Sequence, residues 1–195
     1  MPAPRSSPRP PSEDRAARNP ERVAQAVRRD GAAAGCVIAM PEVHVRVHIE
    51  APVERVFDAV SDHETFLRSE GGVSATVLRE GERERNGLGC LREVRVGRRV
   101  RYVEEITAWE HPCAFEYIIR ENSLPLRHAG SRLTFTPEGR GTDVEWTSRF
   151  EITVPIIGRL LGIRARRIYA GSFRDLLLAA KARLEGETTT RLDAG

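Results

Sequence analysis

Arg92, Glu104 and Tyr117 are the residues of this 195-residue chain whose types and placement could do chemistry. Two of them fall in residues 87–109, GLGCLREVRVGRRVRYVEEITAW, which reads as two strands joined by a tight turn at Gly97-Arg98-Arg99. If Val96 pairs with Val100, the register sets Val94 opposite Tyr102, Arg92 opposite Glu104 and Cys90 opposite Ile106. Side chains alternate faces with period two, so these eight share one side of the sheet, and an opposite-charge pair sits inside an apolar face. Two roles fit. In the first, Arg92 holds a ligand carbonyl or enolate while Glu104 or the Tyr117 hydroxyl moves a proton. In the second, Arg92 and Glu104 are a buried ion pair that fixes strand register, and truncating one partner of such a pair costs about 3–5 kcal/mol. The roles are compatible, and both stay open on sequence alone.

No stronger catalytic signature accompanies them. GxSxG, HExxH, a Walker loop and a strand-to-helix GxGxxG are all missing from the sequence, and Gly87-Leu88-Gly89 reads as a flexible strand entry. His44 and His48 lie on one strand about 13 Å apart, too far for one metal ion, and read as a solvated face. The three cysteines, Cys36, Cys90 and Cys113, form no CxxC, which argues against a zinc site or a disulfide framework and fits a cytoplasmic protein. No cofactor and no metal are expected.

Charge points the same way. Residues 1–39 hold seven arginines against four acids, so the formal net charge of +3 resides there and the remainder is balanced. The basic excess is therefore weak support for nucleic-acid binding, and none is expected. Arg164-Ala165-Arg166-Arg167 reads as a solvated face. No run approaches ~18 apolar residues, so no stable membrane insertion is expected. The stretch before Ala32-Ala33-Ala34-Gly35-Cys36 lacks an apolar core, so no signal peptide is expected either. Residues 1–39, rich in Pro, Arg and Ala, read as a disordered extension. Residues 40–187 read as the folded domain and 188–195 as a frayed tail.

The elements that must position these residues follow from periodicity. Residues 42–50, EVHVRVHIE, alternate strictly, with Val43, Val45, Val47 and Ile49 on one face. Residues 51–69 switch to helical period, with Val53, Phe57 and Val60 on one stripe and Ser61-Asp62 stopping one helix and capping a second; Gly71-Gly72 ends it. Strands are expected at 73–80, 87–96, 100–109, 113–121, 131–137 and 142–154. A two-residue turn at His111-Pro112 would set Ala108 opposite Phe115, Ile106 opposite Tyr117 and Glu104 opposite Ile119. A turn at 138–141 sets Phe135 opposite Val144, Leu133 opposite Trp146 and Ser131 opposite Ser148. Residues 156–187 read as a helix with break points offered by Gly158, Gly162 and Gly171. Its covering stripe is Phe173, Leu176, Leu177, Ala180 and Leu184.

Strand, two short helices, six strands and a long last helix is an order that resembles the START-like (SRPBCC, helix-grip) superfamily. APVERVFDAVSDHETF, GLGCLREV, VEEI-TAW-HP, FEY-I and GTDVEWTSRFE are similar to segments of its polyketide cyclase/dehydrase-type branch over about residues 42–186. The resemblance implies an α+β fold in which a curved antiparallel seven-stranded sheet wraps a long C-terminal helix around an apolar cavity. The lining it implies is Arg92, Tyr102, Glu104, Ile106, Phe115, Tyr117, Leu133, Phe135, Trp146, Phe173 and Leu177, with His63 and His128 at the mouth, where either could shuttle a proton. It implies a small hydrophobic ligand, such as a lipid or polyketide, that is bound or carried. The alternative is a polyketide cyclase or dehydratase using Arg92, Glu104 and Tyr117. A third reading, an interaction module, has only the arginine-rich tail and residues 164–167 behind it. Oligomeric state is not encoded in any of these patterns.

Overall fold

Alternation builds the first strand: β1, Glu42–Ile49, buries Val43, Val45, Val47 and Ile49 and turns His44, Arg46 and His48 outward. The computed structural model describes residues 42–69, 72–153 and 158–193, with the side chains of the last segment described over 164–187. The expected N-terminal extension, and Gly71 as a helix stop, lie outside the described residues.

Helical period takes over at Pro52. Helix α1, Val53–Ser61, buries Val56, Phe57 and Val60, and α2, His63–Phe66, follows after Asp62. Asp62 joins them without a side-chain cap. Its carbonyl accepts from the Thr65 and Phe66 amides at 3.1 and 2.8 Å, so the second helix is started by main chain rather than by the expected carboxylate. A 3-10 turn, Leu67–Ser69, leads to β2, Val73–Arg79.

Five more strands follow: β3 Leu91–Val96, β4 Val100–Glu110, β5 Ala114–Asn122, β6 Leu126–Glu138 and β7 Gly141–Ile152. The seven form one antiparallel sheet in the order β1-β7-β6-β5-β4-β3-β2. The β3–β4 register matches the reading from sequence, with Arg92 opposite Glu104 and Val94 opposite Tyr102. Residues 87–90 are turns rather than strand, yet Gly89 donates to the Ile106 carbonyl at 2.9 Å and Ile106 to the Cys90 carbonyl at 3.0 Å. The expected Cys90–Ile106 apposition survives without a ladder.

The β4–β5 connection corrects two expectations that cancel. The hairpin closes on Glu110 opposite Ala114, one residue longer than expected, so Trp109 rather than Ala108 faces Phe115. A bulge between Ile106 and Ala108 absorbs the extra residue and restores Ile106 opposite Tyr117 and Glu104 opposite Ile119. Strand β6 starts five residues before the expected position, because Leu126 already pairs with Ile152 and His128 with Phe150. The bulge between His128 and Gly130, where Gly130 has φ +127, breaks the alternation that would have revealed it. These bulges bend the long strands, and the sheet curls.

The last helix, α3, Gly158–Asp193, runs unbroken through Gly162 and Gly171 and continues past residue 187 where fraying was expected. Each glycine costs a helix only about 1 kcal/mol against alanine, and Leu176, Leu177, Ala180 and Leu184 are buried against the sheet. The helix is also tied at its far end. Lys181 donates to the His48 carbonyl at 3.0 Å, Glu185 accepts from the Glu50 amide at 2.8 Å, and Arg55 reaches Glu187 at 2.9 Å.

A candidate ligand-binding site

Arg92 and Glu104 are neighbours across the β3–β4 ladder, and their side chains rise on the inner face of the curl. Arg92 is 2% exposed and Glu104 is 8% exposed. The Arg92 Nε donates to Glu104 Oε2 at 2.9 Å. Its Nη1 donates to Nδ1 of His63 at 2.6 Å, and its Cζ stands 5.1 Å from the centroid of the Tyr117 ring. Nη2 is buried and has no hydrogen-bond partner among the described residues.

His63 was expected at a cavity mouth, and the structure buries it instead: α2 begins there, and the ring packs among Phe66, Phe115 and Tyr117. The Ser61 carbonyl lies 3.0 Å from the same Nδ1. The guanidinium contact fits an unprotonated Nδ1 and the carbonyl contact a protonated one. Burial, with the charge of Arg92 added, holds the His63 pKa well below its ordinary value. A proton-shuttling role at neutral pH does not fit that setting.

Beside this triad lies a cavity of about 300 Å³ between the sheet and α3. Val94, Tyr102, Glu104, Tyr117, Trp146 and Phe150 line it from the sheet, His63 and Leu67 from the short helical segment, and Tyr169, Phe173 and Leu176 from α3. Trp146 and Phe173 stack on each other in its wall, with centroids 3.9 Å apart and planes 4° apart. The hydroxyls of Tyr102 and Tyr169 meet at 2.9 Å. Burial, then Tyr169, raises the Tyr102 pKa; burial, then Glu104, raises that of Tyr117.

Of the residues expected to form the lining, Tyr102, Glu104, Tyr117, Trp146 and Phe173 do so. Arg92 does not: Glu104, His63 and Tyr117, the groups it touches, stand in the wall with the guanidinium behind them. Ile106, Phe115, Leu133, Phe135 and Leu177 are also outside the lining and belong to packed core. For Phe115 and Phe135 the reason is Phe57 of α1, which packs on both. Its ring lies 4.9 Å from Trp109, 5.8 Å from Phe115 and 5.0 Å from Phe135, edge to face.

His128 is part of the wall, but with a structural duty. The β5–β6 ladder stops at Tyr117 opposite Ser131, and beyond it the Ile119 amide donates to His128 Nδ1 at 3.0 Å. The imidazole replaces a missing carbonyl. Its Nε2 lies 3.0 Å from Ser131 Oγ and 3.3 Å from Ser148 Oγ. Burial lowers its pKa to about 4. Sequence reasoning also missed Tyr169, although it stands one turn before Phe173 on the same helical stripe.

On the outer face His48, Asp143 and Glu138 bring ligand atoms within 4.8 Å of one another. A cation already sits there: Arg46 pairs with Asp143 and approaches Glu138 at 3.7 Å. The set works as an ion-pair network that joins β1 to β7.

The curled sheet, the two short helices and the long last helix define the START-like helix-grip fold. A sequence model of the family described as "Polyketide cyclase / dehydrase and lipid transport" matches residues 40–185, and the chain belongs to that family. Among solved structures, TTHA0849 from Thermus thermophilus is similar at 28% identity and a TM-score of 0.62, over 75% of this chain and 99% of that one. A START superfamily protein from Mycobacterium smegmatis shares the fold at 15% identity and a TM-score of 0.60, over 74% and 97%. Ara h 8.0201 does so at 11% identity and a TM-score of 0.58, over 76% and 99%. No curated protein matches in sequence. No helix among the described residues is long and apolar enough to cross a membrane.

Proposed function

We propose that this protein binds or carries a small apolar ligand in the cavity between the sheet and α3. The observation that carries the reading is the cavity itself: about 300 Å³, walled by aliphatic and aromatic side chains with a few polar groups among them. That is the usual form of a small-molecule site. The buried Cys90 and the exposed Cys113 are both free, which suits the reducing cytoplasm proposed as its location.

The enzymatic alternative has less support. It needs Arg92 to reach a ligand carbonyl, and Arg92 lies behind the wall. Tyr117 holds its proton more firmly than an ordinary tyrosine, and Glu104 is held by Arg92. Turnover that disappears in Glu104→Gln while the melting temperature stays unchanged would favour it nonetheless.

Native mass spectrometry of protein purified from its own host tests the binding reading. A retained small molecule is expected in the wild type, and its loss is expected in Ser172→Trp, which puts an indole into the cavity from α3. A wild-type chain that emerges empty and takes up no apolar probe would sink the proposal.

A further inference from the structure

We infer that the cavity selects uncharged ligands bearing a hydroxyl and rejects carboxylates of the same shape. The inference rests on the binding reading above and names the class of ligand.

The polar groups of the wall are Glu104, His63, His128, Ser148, Ser172 and the tyrosines Tyr102, Tyr117 and Tyr169, and Glu104 alone among them is an anion. Glu104 lines the cavity, its side chain is 10% exposed, and its Oε2 is taken by Arg92. Its Oε1 accepts no hydrogen bond among the described residues, which leaves one anionic acceptor available to a ligand. No arginine or lysine side chain among the described residues lines the cavity. Arg92 pairs with Glu104 from behind, so a bound anion would meet the carboxylate first and reach no guanidinium. The remaining wall groups are neutral. His63 has Nδ1 engaged by Arg92 and the Ser61 carbonyl. His128 has Nδ1 engaged by Ile119 and its Nε2 near Ser131 and Ser148. Tyr102 and Tyr169 share one hydrogen between their oxygens and retain the other.

Such a wall suits a group that donates to a carboxylate, and a hydroxyl does so without carrying charge. A carboxylate ligand would place like charges together in a desolvated space, the arrangement that forces one of them to take up a proton. Two of the three wall tyrosines, Tyr102 and Tyr117, already register this field. After burial, and for Tyr102 after its Tyr169 partner, Glu104 is among the causes that hold their hydroxyls protonated. Size limits the ligand as well. A dry cavity of about 150 Å³ holds one benzene ring, so about 300 Å³ suits two fused rings.

Isothermal titration at pH 7.5 with 2-naphthol, naphthalene and 2-naphthoate is the test. The three probes share one shape, and 2-naphthol stays protonated there because phenols titrate near pH ~10. The expected order is 2-naphthol tightest, naphthalene weaker by roughly tenfold, the scale of one hydrogen bond to a charged acceptor, and 2-naphthoate weakest. Glu104→Gln should narrow the gap between 2-naphthol and 2-naphthoate. Because that variant unpairs Arg92, it is read beside Arg92→Met/Glu104→Gln, in which both charges are gone; the wild-type series stands even if neither variant folds. Binding of 2-naphthoate equal to or tighter than that of 2-naphthol overturns the selectivity and leaves the cavity reading intact. Failure of all three probes to bind overturns both.

Discussion

Arg92 donates to Glu104 across the β3–β4 ladder, but only Glu104 faces the cavity. One ion pair therefore does two things: it sets the register of the hairpin, and it presents the ligand space with a carboxylate whose counter-ion is hidden. The register role predicts a specific pattern in a double-mutant cycle. Arg92→Met or Glu104→Gln alone should cost about 3–5 kcal/mol of unfolding free energy, because each leaves a buried charge uncompensated. Combining Arg92→Met with Glu104→Gln should cost much less than the sum, because neither charge is then left unpaired. Urea midpoints of the four proteins check this, and additive losses would remove the register role.

Acid should weaken the fold through His128. Its folded pKa of about 4 lies below the ordinary value of 6.5, so between those values the unfolded chain binds more protons than the native one. The stabilisation is fully present above pH 6.5 and is lost as the pH falls toward 4, amounting to up to about 3 kcal/mol. His63 acts in the same direction, whereas His48, whose pKa Asp143 raises, acts in the opposite one. His128→Gln keeps an acceptor for the Ile119 amide without a titrating group. Its unfolding free energy should fall less between pH 7 and 5 than that of the wild type; an unchanged slope would contradict the assignment.

Phe57 separates core from cavity. Phe57→Ala should cost about 3–5 kcal/mol, as for other fully buried aromatic truncations, since Phe57 is 0% exposed. The affinity for 2-naphthol should change by less than about threefold, because a loss in stability of the packed end need not move the lining, and effects at separated sites are near additive. A parallel collapse of affinity, measured on protein still folded, would show that the two ends are one space.

The sequence carried the frame of this fold because its signals were local. Alternation located β1, and matched registers placed Arg92 opposite Glu104 and Leu133 opposite Trp146. The misses have physical causes. A bulge adds a residue without leaving a pattern, so Trp109 rather than Ala108 faces Phe115, and the bulge at Gly130 hid the first residues of β6. The lining was only half legible for a different reason: alternation assigns a face, and it does not say how far a helix fills that face. Phe57 converts Phe115 and Phe135 from wall to core. His63 was invisible as a partner of Arg92 because its approach, 29 residues away in sequence, depends on where α2 docks.

The two tryptophans give the most direct test of a ligand in this cavity. Trp146 stands in its wall and stacks on Phe173, whereas Trp109 packs on Phe57 at the filled end. A proton–nitrogen correlation spectrum should show two indole signals, one from each. Titration with 2-naphthol is expected to shift the Trp146 signal progressively and to leave Trp109 in place. A Trp146 signal that stays fixed at saturating 2-naphthol would contradict the cavity as the binding site.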